Sequence, residues 1–135
     1  MILEMSFPGG AAVDATFRSF TVRTDQPEKA GGGGTAAPPF DLFLASIGTC
    51  AAYYAMRFCE QRQIDVADLG VTLEPIREPD SKRIDRLRID QRLPEGFPAK
   101  YRRAIERAVD QCAVKRHIVE PPEFELRLLG GESVQ

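Results

Sequence analysis

The run from Leu42 to Met56 constrains this chain more than any other feature. It contains 15 residues and no charged side chain, although it includes Ser46, Gly48 and Thr49. A helix that is apolar on nearly every side must be surrounded by protein, whereas a membrane span requires about 20 predominantly apolar residues. The run therefore predicts the buried helix of a soluble protein, wrapped by a sheet or shared between two subunits.

Polar residues mark both ends of this helix. Pro38-Pro39 and Asp41 suit its start, because proline fits a first helical turn and a carboxylate favours the positive end of the helix dipole. Charged side chains return only from Arg57 onward. We therefore expect a helix from about Phe40 to Gln63.

Strands are predicted on both sides of this helix, and a glycine-rich loop from Pro27 to Pro39 precedes it. Short β-branched and aromatic runs predict the strands, and a second apolar stripe at helical spacing predicts another helix. The expected elements are strands at Val13–Phe17, Phe20–Thr24, Leu69–Ile76 and Leu87–Leu93, a helix from Ala99 to about Val114, and a last strand at Phe124–Leu129. The order ββ-α-ββ-α-β predicts a single α+β domain over residues 1–135, with two helices against antiparallel sheet.

Composition and charge exclude several classes of function. The chain is 43% hydrophobic with a net charge of −2, so it can bury a core but has no field that would gather nucleic acid or an anionic membrane. Its richest basic stretch, Lys82 to Arg92, is interrupted by Asp85 and Asp90. The opening MILEMSFPGG does not resemble a secretory leader. We expect a cytoplasmic protein that binds neither nucleic acid nor membrane.

The cysteines indicate thiol chemistry rather than a disulfide framework or a metal site. Cys50, Cys59 and Cys112 form an odd and widely spaced set, whereas secreted disulfide frameworks use even sets. A zinc site needs four ligands, and the chain has no C-x-x-C pair and a single histidine, His117. We expect reduced thiols and neither a metal nor another cofactor.

Cys50 is the strongest candidate for a reactive residue. In a helix, Arg57 lies two turns further along the same face, and a nearby guanidinium favours the nucleophilic thiolate. Two alternatives stay open. Buried cysteines are often inert packing residues, and Arg57 could instead reach solvent or Glu60.

The other two cysteines are expected to differ from each other. Cys59 is half a turn out of phase with Cys50, so it should pack on the opposite side of the helix, and a bond between the two would break that helix. Cys112 lies on the inward stripe of the second helix. A disulfide between Cys50 and Cys112 is geometrically conceivable, although spacing alone does not establish it.

Two segments resemble the cysteine motifs of the OsmC/Ohr superfamily. The run Pro39–Cys50 is similar to the motif around the peroxidatic cysteine, and Ala108–Val114 is similar to the second cysteine site. The resemblance implies an intertwined homodimer that reduces organic hydroperoxides or hydrogen peroxide at the subunit interface. It makes Cys50 the peroxidatic cysteine, which forms a sulfenic acid, and Cys112 the resolving cysteine, which forms a disulfide with it. A dithiol reductant, such as a lipoyl protein or a thioredoxin-like protein, would restore the thiols.

The chain departs from the pattern of this superfamily at several positions. Ohr enzymes carry a glutamate where this chain has Phe40, and an acid follows one place later as Asp41. The second site reads Cys-Ala-Val-Lys where many members have Cys-Pro-Val-His. The partner arginine of the family comes from the N-terminal part, where Arg23 and Arg18 both qualify.

The predicted substrate-binding residues are accordingly Arg23, Asp41 and Arg57. The departures indicate an outlying OsmC-like branch and leave two further functions open. One is a non-catalytic protein that binds a small ligand on the same scaffold, and the other is a redox sensor.

Overall fold

The computed structural model describes residues 1–131, which form two antiparallel sheets and three helices. The strands are β1 (Glu4–Gly9), β2 (Ala12–Phe17), β3 (Phe20–Thr24), β4 (Gly70–Ile76) and β5 (Arg86–Arg92). The helices are α1 (Pro39–Glu60), α2 (Arg102–Val109) and α3 (Ala113–Val119), with single 3-10 turns at Glu28–Ala30 and Ala99–Tyr101. The α+β class and the antiparallel sheets predicted from the sequence are confirmed.

The N-terminal sheet has the order β1-β2-β3, and its main contacts are between its own strands. Every residue of β1 is exposed. The sequence prediction missed this strand, because Pro8-Gly9-Gly10 indicates a turn. Proline is compatible with an edge strand, where its missing N–H faces solvent.

The second part of the molecule is built around α1. The hairpin β4–β5 packs on this helix, as do α2 and α3. Along β5 the inward positions are Leu87, Ile89 and Gln91, and the residues between them face solvent. The buried core joins α1 to α2 and consists of Ala51, Ala55, Phe58, Cys59, Ile105 and Val109.

One chain covers only one face of α1, so the expectation that protein surrounds this helix is not met within a single subunit. Phe40, Phe43 and Tyr53 remain 50%, 41% and 52% exposed. By length and composition alone α1 could cross a membrane, but core helices of soluble proteins pass the same test.

The second helix is not continuous from Ala99 to Val114, as the sequence predicted. Helix α2 ends at Val109, and α3 begins after Cys112, whose backbone is not helical, with φ −49° and ψ 119°. The Cys112 Sγ accepts the backbone N–H of Lys115 at 3.5 Å. The thiol therefore caps a new helix, and no proline or glycine in the sequence marks this break.

The predicted last strand at Phe124–Leu129 is also wrong for the single chain. This segment forms no strand, and Phe124, Leu126 and Leu128 are at least 90% exposed. Strand N–H and C=O groups need a neighbouring strand as partner. Within residues 1–131, no sheet edge pairs with this segment.

The glycine-rich loop is held in place by a buried carboxylate. Asp25 is 4% exposed, and it accepts hydrogen bonds from the Gln26, Gly33 and Thr35 amides and from the Thr35 hydroxyl. These bonds, chiefly those from Thr35, hold the pKa of Asp25 below its usual value. A Cβ at Gly32 would lie 1.9 Å from the Gln26 carbonyl oxygen, so this tight loop requires glycine there.

Candidate functional site

The site centres on two free thiols that meet between α1 and the start of α3. Cys50 lies in the middle of α1 and is half-buried, whereas Cys112 is 1% exposed. The two side chains are close enough for each thiol to shift the pKa of the other. The structure therefore brings together the two cysteines that the sequence singled out.

The surroundings of Cys50 favour its thiolate. Burial raises the pKa of Cys50, but hydrogen bonds from the Cys112 thiol and from the Val114 and Ala113 amides more than offset this effect. The pKa of Cys50 is therefore below its ordinary value. Donors that stabilise the charged form of an acid lower its pKa in this way.

Cys112 shows the opposite shift. Burial raises the pKa of its thiol, and the hydrogen bond and the negative charge of Cys50 raise it further. The amides of Lys115 and Val114 act against this rise without cancelling it. The pair is therefore asymmetric, with Cys50 ionising first while Cys112 keeps its proton.

The donors come from the local structure around Cys112. The first amides of any helix have no intrahelical acceptor, and α3 begins immediately after Cys112. The amides of Ala113 and Val114 lie close enough to Cys50 to lower its pKa, while that of Lys115 donates a hydrogen bond to Cys112 Sγ. Sequence reasoning missed these donors because it predicted one unbroken helix through this region. The only available signal was the second cysteine motif itself.

The predicted arginines and the predicted acid lie elsewhere in the single chain. Arg57 pairs with Glu60 at 3.0 Å, the alternative that the sequence had left open. Arg23 is exposed on β3, and Asp41 is exposed in the first turn of α1, more than two turns from Cys50. None of these three residues is among the groups that shift the pKa of Cys50. In one chain, backbone amides and a second thiol support the thiolate.

Cys59 is part of the core, on the side of α1 where the helical phase predicts it. It is fully buried beside Phe58, Ile105 and Val109. Burial raises the pKa of its thiol, and the charge of Arg62 lowers it by less. Cys59 therefore packs as a small apolar residue.

Metal ligation finds no support in residues 1–131. No group of three or more His, Cys, Asp or Glu side chains comes close enough there to hold an ion. His117 is exposed on α3, and its Nδ1 lies 2.6 Å from the Ala113 carbonyl oxygen.

A central helix flanked by antiparallel sheet, with a thiol pair where the short helix α3 begins, defines a class of small α+β thiol proteins. The chain belongs to the OsmC-like protein family, whose model matches residues 31–127. The matched range contains both cysteines of the pair and the whole of α1. The family assignment made from the two cysteine motifs is therefore confirmed.

Solved structures show the same fold at low sequence identity. A candidate osmotic stress induced and detoxification response protein from Psychrobacter arcticus superposes with a TM-score of 0.69 at 19% identity, covering 84% of this chain and 85% of that chain. An organic hydroperoxide resistance protein OsmC from Legionella pneumophila superposes with a TM-score of 0.54 at 18% identity, covering 87% of each chain. No curated protein sequence matches this chain.

Proposed function

We propose that this protein is a cysteine-dependent peroxidase that reduces organic hydroperoxides or hydrogen peroxide. The observation that carries the proposal is the proximity of the Cys50 and Cys112 thiols, whose pKa values are shifted in opposite directions. Membership of the OsmC-like family, and similarity to a protein named for organic hydroperoxide resistance, support the same chemistry.

In the first step, the Cys50 thiolate attacks one oxygen of the peroxide. A sulfur–oxygen bond forms as the O–O bond breaks, and the departing alkoxide takes a proton and leaves as an alcohol. Cys50 becomes a sulfenic acid. A thiol with a lowered pKa suits this step because the thiolate is the nucleophile.

In the second step, the Cys112 sulfur attacks the Cys50 sulfenic acid. A disulfide forms and water leaves, so the two thiols have together supplied two electrons to the peroxide. A dithiol donor, such as a lipoyl or thioredoxin-like protein, then returns two electrons and two protons by exchange. Cys112 suits this role because its raised pKa keeps it protonated during the first step.

Thiol counting after addition of cumene hydroperoxide tests the proposal. We expect the reduced protein to lose two thiols per peroxide and to recover them with a dithiol. Cys50→Ser should lose no thiol rapidly. Cys112→Ser should accumulate a sulfenic acid that dimedone traps. The matched control is Cys59→Ala, which should lose the same two thiols as the unmodified chain, with peptide mapping locating the bond between Cys50 and Cys112.

Other outcomes would point to the alternative functions. Thiols that persist in excess peroxide would contradict the peroxidase and leave a ligand-binding protein. Oxidation that a dithiol reverses only slowly would indicate a redox sensor. A dominant disulfide containing Cys59 would overturn the assignment of Cys112 as the resolving residue.

We further propose that two copies assemble, because a single chain leaves large apolar side chains uncovered. Phe43 and Tyr53 on α1 are 41% and 52% exposed, and Phe124 and Leu126 near the C-terminus are 95% and 90% exposed. Large exposed apolar patches are typical of interaction sites, and two-fold dimers are the commonest oligomers. In such a dimer the second copy could supply Arg23 to the Cys50 thiolate.

Light scattering at micromolar concentration tests the assembly. We expect about 30 kDa, twice the 15.0 kDa of one chain. Phe43→Asp should shift the mass toward one chain, because it places a charge within the surface to be buried. Lys82→Asp, in the exposed turn between β4 and β5, is the control and should leave the mass unchanged. A stable monomer of the unmodified chain would contradict the dimer.

A further inference from the structure

A cavity of about 510 Å³ lies between α1, β5, α2 and α3 and opens to solvent where its lining residues Glu106, Asp110, Lys115 and Ile118 are exposed. This volume is within the range of small-molecule sites. Most of the wall is aliphatic, formed by Ile47, Ala51, Leu87, Ile89, Val109 and Ile118. Cys112 contributes to the wall and Cys50 does not, so a ligand could occupy this space without touching the proposed peroxidatic thiol.

Gln91 is the polar exception on the inward face of β5. Leu87 and Ile89 precede it at alternate positions, where an apolar residue would be expected to continue the series. Its carbonyl oxygen Oε1 is buried and has no hydrogen-bond partner among the described residues. A buried acceptor without a donor costs free energy that a suitably placed N–H would recover. Gln91 therefore favours a ligand that donates a hydrogen bond.

The charged groups of the cavity are mostly acidic. Glu106 and Asp110 lie one turn apart on the same side of the cavity, and Lys115 is the only basic residue among the described residues that line it. Lys115 already pairs with Asp110. Within residues 1–131, Glu106 forms no salt bridge. The charges that line the cavity therefore sum to −1, and Arg102 borders only a smaller adjoining cavity, so the cavity itself favours a cation.

We propose that this cavity binds a small organic cation, a protonated amine attached to an apolar body. The ammonium donates to Gln91 Oε1 and to the Glu106 carboxylate, and the apolar body lies against the aliphatic wall. Gln91 and Glu106 also line a smaller adjoining cavity together, so the two side chains are neighbours. A carboxylate ligand would be repelled by Glu106, and a hydrocarbon would leave Gln91 without a donor.

Three probes with the same six-carbon chain test this selectivity. Calorimetric titration of the reduced full-length protein at pH 7 should show that hexylammonium binds more tightly than 1-hexanol, and 1-hexanol more tightly than hexanoate. We expect about tenfold or more between the first and the last. Equal affinities, or no binding of hexylammonium, would overturn the proposal. Hexylammonium binding that is lost at protein concentrations where dimers form would also overturn the proposal, because it would show that the second copy fills the cavity.

Two substitutions separate the contributions of the proposed contacts. Gln91→Leu should weaken the binding of hexylammonium at least about fivefold. The same substitution should leave the affinity for hexanol unchanged or make it higher. Glu106→Gln should remove most of the difference between hexylammonium and hexanol. Asp90→Asn, on the outward face of β5, is the matched control and should bind all three probes as the unmodified chain does.

The proposed amine site and the proposed peroxidase activity can be refuted separately. Gln91→Leu and Glu106→Gln should keep the rate at which cumene hydroperoxide consumes the Cys50 thiol, because neither side chain shifts the pKa of Cys50. This rate also shows that each variant is folded. Variants that retain the thiol reaction and still bind hexylammonium like the unmodified chain would refute the amine site and leave the proposed function intact.

Discussion

Cys50 and Cys59 lie on the same helix, nine residues apart, yet their thiols have opposite properties. Burial raises the pKa of both. Cys50 is half-buried, and hydrogen bonds from Cys112 and two backbone amides reverse the effect of burial. Cys59 is fully buried, and the nearby charge of Arg62 does not reverse it. Directed donors therefore decide which thiol ionises, and a nearby cation is not sufficient.

The position of Arg62 explains why its charge has little effect. Its guanidinium lies over the Phe58 ring, 3.6 Å from the centroid, and donates a hydrogen bond to the Phe58 carbonyl oxygen at 3.2 Å. It is thus occupied by an aromatic face and a backbone acceptor, not by sulfur. The amides of Ala113 and Val114, by contrast, lower the pKa of Cys50. The lowered pKa of Cys50 therefore depends on where α3 begins.

The largest expected difference is in alkylation rate. With iodoacetamide at pH 7.5, Cys50 should react on the order of 100-fold faster than Cys59, because thiolate is available at Cys50 and Cys59 must wait for local opening. Mass spectrometry of peptides at successive times measures both rates in one sample. In 6 M guanidinium the two rates should converge, which serves as the control. Comparable rates in the folded protein would remove the contrast between the two thiols.

The next effect concerns stability. Cys59→Ser should lower the free energy of unfolding by about 1–3 kcal/mol, because a buried hydroxyl without a partner replaces a thiol that needs none. Cys50→Ser should change it by less than about 0.5 kcal/mol, because the position is half-buried and amide donors remain for the hydroxyl. Urea unfolding with unchanged m-values measures both. Equal losses would mean that the surroundings of the two cysteines do not differ as described.

The sequence predicted the parts of this comparison that follow from periodicity. The apolar run Leu42–Met56 located α1 to within a few residues, and helical phase placed Cys59 away from Cys50. It could not predict the break before α3, because that break depends on the backbone conformation of Cys112 and not on a helix-breaking residue. The amide donors to Cys50 were missed for the same reason.

The need for a non-local pairing partner explains why the predicted last strand at Phe124–Leu129 is wrong for the single chain. Phe124–Leu129 has the composition of a strand, but a strand exists only where another edge accepts it. Within the described residues of one chain no edge does so. A pattern of side chains predicts the tendency to form a strand and does not identify the partner. The same holds for the uncovered face of α1.

A smaller effect isolates a single donor to Cys50. Ala113→Pro removes one N–H, while proline is favoured at the first position of a helix and the Cys112 ψ of 119° lies outside the α region that a following proline disfavours. The pKa of Cys50 should rise, and its alkylation rate at pH 7 should fall by about three- to tenfold because Val114 still donates. Ala113→Ser keeps the amide and should react like the unmodified chain. An unchanged rate in Ala113→Pro would exclude this amide as a contributor.

The smallest effect is the dependence of stability on pH, and its sign differs between the two cysteines. The folded pKa of Cys50 is lowered from 9.0, so its contribution is fully present above about pH 9 and is lost as pH falls through the folded value. The folded pKa of Cys59 is raised from 9.0, so its contribution is fully present below about pH 9 and is lost as pH rises through the folded value.

Two variants measure these signs separately. As pH rises toward 9, the unfolding free energy of the unmodified chain should increase relative to Cys50→Ser, because the unfolded thiol still holds a proton that folded Cys50 has released. Cys112 adds no slope in this window, since its pKa is raised and it stays protonated in both states. Above pH 9 the unmodified chain should lose stability relative to Cys59→Ala, because only the unfolded thiol ionises. Urea midpoints between pH 7 and 10 give both differences, and slopes of the same sign would show that the two thiols occupy equivalent electrostatic surroundings.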